Sequence, residues 1–170
     1  MYKVYQFYKK LVHLLVSILE TAAILCMITM VCLISYQVFM RYVLNNTPGW
    51  TEELSIVLMG WFVFMGLVVA LKENLHISIE MVVSRLPQKV AFVIETINSL
   101  LILLLSGIFV YFGFTLAWAL RNNVLPGTGL SVAVQRIPVG IAGVFMILVV
   151  LLKLAEQFIE KREEKGEETV

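Results

Sequence analysis

Four long apolar stretches divide the sequence, and short polar segments separate them. They cover residues 11–40, 54–71, 90–120 and 137–159. About 20 apolar residues cross about 30 Å of hydrocarbon, and lipid offers the backbone no hydrogen-bond partners. No stretch shows the period of two that a membrane β-strand requires. The pattern predicts an all-α integral membrane protein, a single membrane domain of residues 1–170, with four transmembrane helices at about 17–41, 52–72, 90–120 and 137–159.

The first apolar stretch is longer than one bilayer crossing requires. The helix from Glu20 to Arg41 would measure about 32 Å, which matches one crossing. Residues 2–16 contain tyrosines and lysines, so we expect an interfacial lead-in at headgroup level, with a single long tilted helix as the alternative. The apolar stretch is too long for a signal peptide, and no small-residue cleavage site follows it, so we expect it to be retained.

A second interfacial segment is expected between the second and third spans. Residues 76–89 interleave apolar side chains with serine, glutamate and arginine, and Pro87 interrupts them. This pattern predicts a short amphipathic helix on the cytoplasmic leaflet. The predicted fold is therefore four transmembrane helices plus short amphipathic interfacial helices.

Lysines and arginines are distributed unequally between the two sides of the membrane. With four spans, the termini and the connection between spans two and three share one side, which carries ten of the 13 basic residues. The other side carries the remaining three, which are Arg41, Arg121 and Arg136. Because cytoplasmic loops are enriched in Lys and Arg, both termini are predicted to be cytoplasmic.

The composition excludes several classes of protein. Apolar residues make up 60% of the chain and charged residues 15%, with a mean hydropathy of +0.90. Soluble domains have about 45–50% apolar and about 25% charged residues, so a soluble enzyme, a disordered chain and a nucleic-acid-binding protein are excluded. The sequence lacks aspartate and shows no nucleotide-binding or metal-binding motif. We predict no catalytic residue, no cofactor and no metal site.

Two carboxylates and two histidines are the ionisable candidates for chemistry. Glu20 and Glu95 lie toward the predicted cytoplasmic ends of their helices, where we expect them to reach headgroups or lysines. A proton relay in an autonomous four-helix proton-coupled transporter is the alternative. His13 and His76 raise a second alternative, a haem-anchoring cytochrome subunit, although membrane haem ligands usually face each other inside spans. Two small-residue pairs, Gly66–Ala70 and Gly113–Ala117, have spacing typical of helix packing within the chain or against a partner.

The segment from residue 37 to residue 87 is more distinctive than any single residue. It contains RYVLN at 41–45, PGWTEEL at 48–54 and KENLHI at 72–77. In this order the motifs resemble the small membrane subunit of tripartite ATP-independent periplasmic (TRAP) transporters, the DctQ-like family. Asn74 stands where that family typically has glycine, and Glu80 where it has aspartate.

The resemblance implies a subunit of a larger assembly in the bacterial inner membrane. In this family a periplasmic substrate-binding protein delivers an organic acid to a large multi-span subunit. That large subunit contains the sodium and substrate sites and moves as an elevator. The small subunit acts as a bilayer-anchored scaffold. The expected partners are therefore the large subunit, the binding protein and membrane lipids.

The predicted partner interface lies at the periplasmic ends of the first two spans. Thr51 is expected to cap the second helix, whose dipole favours the carboxylates of Glu52 and Glu53. Adjacent residues point about 100° apart, so one glutamate is expected to pair with Arg41 and the other with a basic group of the large subunit. Trp50 is expected at headgroup level. The predicted interface residues are Arg41, Trp50, Glu52, Glu53 and Trp61.

Two connections, residues 45–51 and 122–136, are predicted to be periplasmic. The second contains Pro126, Gly127 and Gly129, which favour a shaped loop over a helix. It is a candidate docking surface for the binding protein, with a plain connector as the alternative. The predicted docking residues are Thr128, Gly129 and Arg136.

Overall fold

Four long helices make up most of the computed structural model, which describes residues 2–46, 48–73 and 88–167. They are α1 (Tyr2–Val43), α2 (Gly49–Lys72), α3 (Gln88–Ala119) and α4 (Ala133–Glu167). Each contains a segment that is long and apolar enough to cross a membrane, which confirms the predicted all-α membrane fold. The amphipathic connection predicted at 76–89 lies outside the described residues, except that its last two residues belong to α3.

Helix α1 continues without interruption through the predicted lead-in. Its 42 residues correspond to about 63 Å of helix. Val12 and Val16 are almost fully buried, and the Tyr8 hydroxyl donates a hydrogen bond of 2.9 Å to the carbonyl oxygen of Leu148 in α4. The lead-in and the first span therefore form one helix, and the lead-in contributes side chains to the core.

Helices α2 and α4 form the centre of the bundle. Helix α1 packs mainly against α2, and within the described residues the backbone of α3 comes within 8 Å only of that of α4. Side chains connect α3 to α2 as well, because the rings of Phe64 and Phe109 meet edge to face at 5.9 Å. The main core combines α1, α2 and α4 and consists of Val12, Val16, Leu19, Val68, Leu71, Ala142, Met146, Val149, Val150 and Leu152.

Glycines allow α3 and α4 to approach closely. A Cβ atom on Gly113 would collide with the backbone nitrogen of Gly140, and one on Gly143 would lie 2.8 Å from the carbonyl oxygen of Ser106. Packing through small residues is thus confirmed for Gly113. A Cβ atom on Gly66 would meet no atom of the described residues within 4 Å, so this position has room for a partner.

The first turn of α4 lies beside the middle of α2. The Gly60 position faces the carbonyl oxygen of Gln135, in the first turn of α4. The α3–α4 loop, residues 120–132, then extends back along α2 to Glu53, a distance of about 10 Å for seven helical residues. This offset places the loop beside the first turns of α2.

Candidate functional site

The start of α2 differs from the predicted capping arrangement. The helix begins at Gly49 after an extended Pro48, and no side chain of the described residues caps it. Thr51 therefore lies inside the first turn, and its hydroxyl donates a 2.7 Å hydrogen bond back to the Pro48 carbonyl oxygen. The prediction that Thr51 caps α2 is wrong, because proline and glycine start the helix two residues earlier than the threonine.

Glu53 joins α2 to the tip of the α3–α4 loop. Its Oε1 accepts a 2.8 Å hydrogen bond from the Gly127 N–H. Its Oε2 accepts bonds of 2.8 Å from the Thr128 N–H and 3.1 Å from the Thr128 hydroxyl. Two consecutive backbone N–H groups thus donate to the two oxygens of one carboxylate, one to each. We refer to these three hydrogen bonds as the Glu53 contact.

The residue at position 127 must be a glycine, because the contact leaves no room for a Cβ atom. A Cβ atom there would lie 2.9 Å from the Gly49 backbone and 3.0 Å from the Glu53 carboxylate. Any larger side chain would push the loop away from α2. The two glycines and the glutamate therefore form one tightly fitted unit.

The rest of the α3–α4 loop is ordered by its own hydrogen bonds. The N–H of Leu125 donates to the Leu130 carbonyl oxygen at 2.8 Å, and Gly129 takes a positive φ of 70° in the turn between them. The Ser131 hydroxyl donates to the Arg121 carbonyl oxygen at 2.8 Å and accepts from the N–H of Ala133 at 3.2 Å, where α4 begins. The loop is a shaped turn, as predicted, and the helix starts at Ala133, two residues after this serine, instead of at the apolar stretch.

Arg41 does not pair with either glutamate. Its guanidinium lies 5.9 Å from the ring centroid of Tyr42, and among the described residues it is not within salt-bridge distance of Glu52 or Glu53. The predicted ion pair is wrong because the loop occupies the Glu53 carboxylate. Glu52 is exposed and has no partner in the described part of the chain, so its charge faces outward.

Trp50 and Trp61 lie at two different depths. Trp50 is partly exposed and packs against Tyr36 of α1, with ring centroids 6.3 Å apart. Trp61 is half-buried, and its indole N–H donates a 3.2 Å hydrogen bond to the Val134 carbonyl oxygen in α4. Their predicted role at a partner interface stays a prediction.

The Trp61 hydrogen bond compensates for a proline. In a helix, the Val134 carbonyl oxygen would normally accept from the N–H four residues later, but that residue is Pro138, which has none. The indole supplies the missing donor. Sequence reasoning missed this pair, although a proline six residues into a helix signals an unsatisfied carbonyl.

The three predicted docking residues have different environments. The Thr128 side chain is half-buried in the Glu53 contact, and Gly129 is exposed at the turn. Arg136 is exposed in the first turns of α4 and has no partner among the described residues. Arg121, nearby in the loop, stacks over the exposed ring of Trp118 at 3.9 Å from its centroid. Two exposed arginines, Arg121 in the loop and Arg136 just after it, thus lie on a frame that hydrogen bonds fix.

The alternative proton-coupled transporter would require a polar cavity around a carboxylate. The cavity between α1, α2 and α4 has a volume of about 10 Å³ and is lined by apolar and aromatic residues that include Leu19, Trp61 and Pro138. Neither Glu20 nor Glu95 lines it. For the haem alternative, His13 is exposed on α1 and His76 lies outside the described residues.

Comparisons with known proteins agree on one family. The family described as tripartite ATP-independent periplasmic transporters, DctQ component, matches residues 30–160. A putative TRAP transporter small permease protein of Haemophilus influenzae is 28% identical over 151 residues, which cover 86% of this chain and 91% of the relative. The sialic acid TRAP transporter small permease protein SiaQ of Vibrio cholerae is 24% identical over 146 residues, which cover 86% of this chain and 84% of the relative.

Proposed function

Because the chain belongs to the DctQ component family of TRAP transporters, we propose that it forms the scaffold of a sodium-coupled transporter for organic acids. In this proposal the chain is the small permease subunit, anchored in the bacterial inner membrane. A large multi-span subunit binds sodium and substrate and moves relative to it. A periplasmic binding protein delivers the substrate.

The observation that carries the scaffold role is that the helices are fixed to one another at three depths. At one end the Glu53 contact joins α2 to the α3–α4 loop. In the middle, Trp61 joins α2 to α4, and Gly113 joins α3 to α4. Toward the other end, Tyr8 joins α1 to α4. A subunit against which another one moves needs such internal connections, because packed interiors transmit force with little deformation.

The two adjacent glutamates are proposed to serve different surfaces. Glu53 is occupied within the chain, whereas Glu52 and Arg41 are exposed and have no ion pair among the described residues. We therefore assign Glu52 to a basic group of the large subunit. The α3–α4 loop with Gly129, together with Arg136 in the first turns of α4, is proposed to lie beside the binding protein.

The proposed orientation has both termini in the cytoplasm and the α3–α4 loop in the periplasm, as the distribution of lysine and arginine favours. Reporter fusions after residues 46 and 127 should then be periplasmic, and fusions after residues 73 and 170 cytoplasmic. A periplasmic fusion at residue 170 would reverse the assignment.

Purification and reconstitution test the subunit role. The tagged chain, purified in mild detergent from cells that also produce the large subunit of the transporter, should retain that subunit. Liposomes with both subunits should take up the organic acid when the loaded binding protein and a sodium gradient are supplied. Liposomes with this chain alone should show no uptake. Uptake by the chain alone would favour the autonomous transporter, and loss of the sodium dependence would refute the proposed coupling.

A further inference from the structure

One face of α1 combines exposure with polarity in the first half of the helix. At about 100° per residue, five polar side chains there fall within an arc of about 100°. All five are exposed, and the set, which we name the α1 polar stripe, consists of Lys10, His13, Ser17, Glu20 and Thr21. The opposite face of the same helix contributes Val12, Val16 and Leu19 to the core. The polar residues thus point away from the rest of the chain.

Helix α3 has the reverse distribution. Its exposed positions between residues 93 and 119 are all aliphatic, aromatic or glycine, apart from Thr115. Its serines Ser99 and Ser106 are buried against the bundle. A helix that faces lipid is expected to look like α3, because lipid cannot hydrogen-bond with polar groups. The outward face of α1 does not have this composition.

Glu20 lies at a depth where an unpaired carboxylate is costly. The neighbouring Leu19 lines the same cavity as Trp61 and Val68 of α2. Along α2, Trp61 lies about 16 Å and Val68 about 6 Å before Lys72, which is the last residue of that helix. Among the described residues Glu20 has no hydrogen bond or ion pair, whereas Glu95 is half-buried and is not without a partner.

Carboxylates within membrane spans almost always face protein or water-filled space. The adjacent threonine is already satisfied, because the Thr21 hydroxyl donates to the Ser17 carbonyl oxygen at 3.0 Å. Glu20 therefore provides a carboxylate on this face that has no donor among the described residues. A transmembrane segment with a basic or hydrogen-bonding side chain supplies that donor.

Building on the proposed function, we propose that the α1 polar stripe is the surface that binds the large subunit, and that Glu20 accepts hydrogen bonds from a basic or polar side chain of one of its transmembrane helices. The outward face of α3 then lies against lipid. The two helices thus face different surroundings because their exposed faces differ in polarity.

Photo-crosslinking tests the surface directly. A photoreactive amino acid is incorporated at Ile24 or Ile28, which are exposed on the same face of α1 directly after the stripe, or at Leu101 or Leu104, which are exposed on α3. The tagged chain is coproduced with the large subunit, and its retention during purification is measured first. We expect crosslinks to the large subunit from the two α1 positions and none from the two α3 positions. Crosslinks from α3 alone, or only lipid adducts from α1, would overturn the assignment of the surface while leaving the subunit role intact.

Substitution of Glu20 tests the carboxylate. We expect Glu20→Leu to reduce the amount of retained large subunit severalfold and Glu20→Gln to reduce it less, because the amide still accepts a hydrogen bond. The elution profile of each variant without the large subunit controls for folding. Unchanged or increased retention with Glu20→Leu would show that this residue faces lipid. If even the unmodified chain retains no large subunit, both the proposed function and this surface are wrong.

Discussion

Replacing Trp61 by phenylalanine is expected to destabilise the bundle, because it removes the donor for a carbonyl that has no partner in its own helix. The indole nitrogen lies 3.2 Å from the Val134 carbonyl oxygen, and Pro138 provides no N–H. A polar group left unpaired in such a site costs about 1–3 kcal/mol. We expect the free energy of unfolding to decrease by about that amount, plus a contribution from the lost ring volume.

A double-mutant cycle with Pro138→Ala separates these two contributions. Alanine restores an N–H that can donate to the Val134 carbonyl oxygen, so in this background Trp61→Phe should lose only the ring volume. The hydrogen bond therefore appears as the coupling between the two substitutions, which we expect to be about 1–2 kcal/mol. Because Trp61 and Pro138 line the same small cavity, the measured coupling also contains a packing contribution.

The measurement is unfolding by sodium dodecyl sulfate in mixed micelles, followed by circular dichroism for the four proteins of the cycle. Trp118→Phe is the matched control, because this side chain is 72% exposed and its loss should change stability little. The proposed compensation would be refuted if Trp61→Phe lowered the free energy of unfolding equally with proline and with alanine at position 138. The cost would then arise from packing alone.

Further substitutions test other contacts. Glu53→Gln should accelerate hydrogen exchange in the α3–α4 loop, since one amide oxygen cannot replace both carboxylate oxygens. Glu52→Gln should leave this exchange unchanged and should instead reduce the amount of large subunit that is retained during purification. Gly113→Ala should lower stability by about 1–3 kcal/mol because its Cβ would meet the backbone of α4, whereas an equally stable Gly113→Ala variant would contradict that contact. Gly66→Ala, on an open surface, is its control and should be tolerated. Tyr8→Phe should cost about 0.5–1.5 kcal/mol through the lost hydrogen bond to α4, measured in the same unfolding assay.

Hydropathy predicts the four helices because each apolar stretch must be helical in lipid, but it does not locate the ends of the helices. The fourth apolar stretch starts at Ile137, whereas α4 starts at Ala133, where the Ser131 hydroxyl accepts a backbone N–H. Similarly, α1 extends to Tyr2 because valines of the lead-in pack in the core. A helix ends where its backbone groups find other partners, and apolarity alone does not report this.

The partner of Glu53 could not be predicted from the sequence. Local reasoning considered Arg41, twelve residues away, whereas the observed partners are backbone N–H groups of Gly127 and Thr128. Backbone donors carry no residue-type signature, and a loop that extends back along α2 has no hydropathy pattern. The Trp61 bond was predictable in principle, because Pro138 inside a helix identifies a carbonyl that needs a donor.

The length of α1 has a mechanical consequence. An uninterrupted helix of about 63 Å in a hydrocarbon layer of about 30 Å must incline, or extend beyond the layer on one or both sides. If it pivots about its middle by 10°, its two ends move about 5 Å in opposite directions. A protein that binds tightly to α1 on one side of the membrane therefore also fixes the position of the other end of α1. Through this one helix, binding events in two aqueous compartments act on the same rigid body.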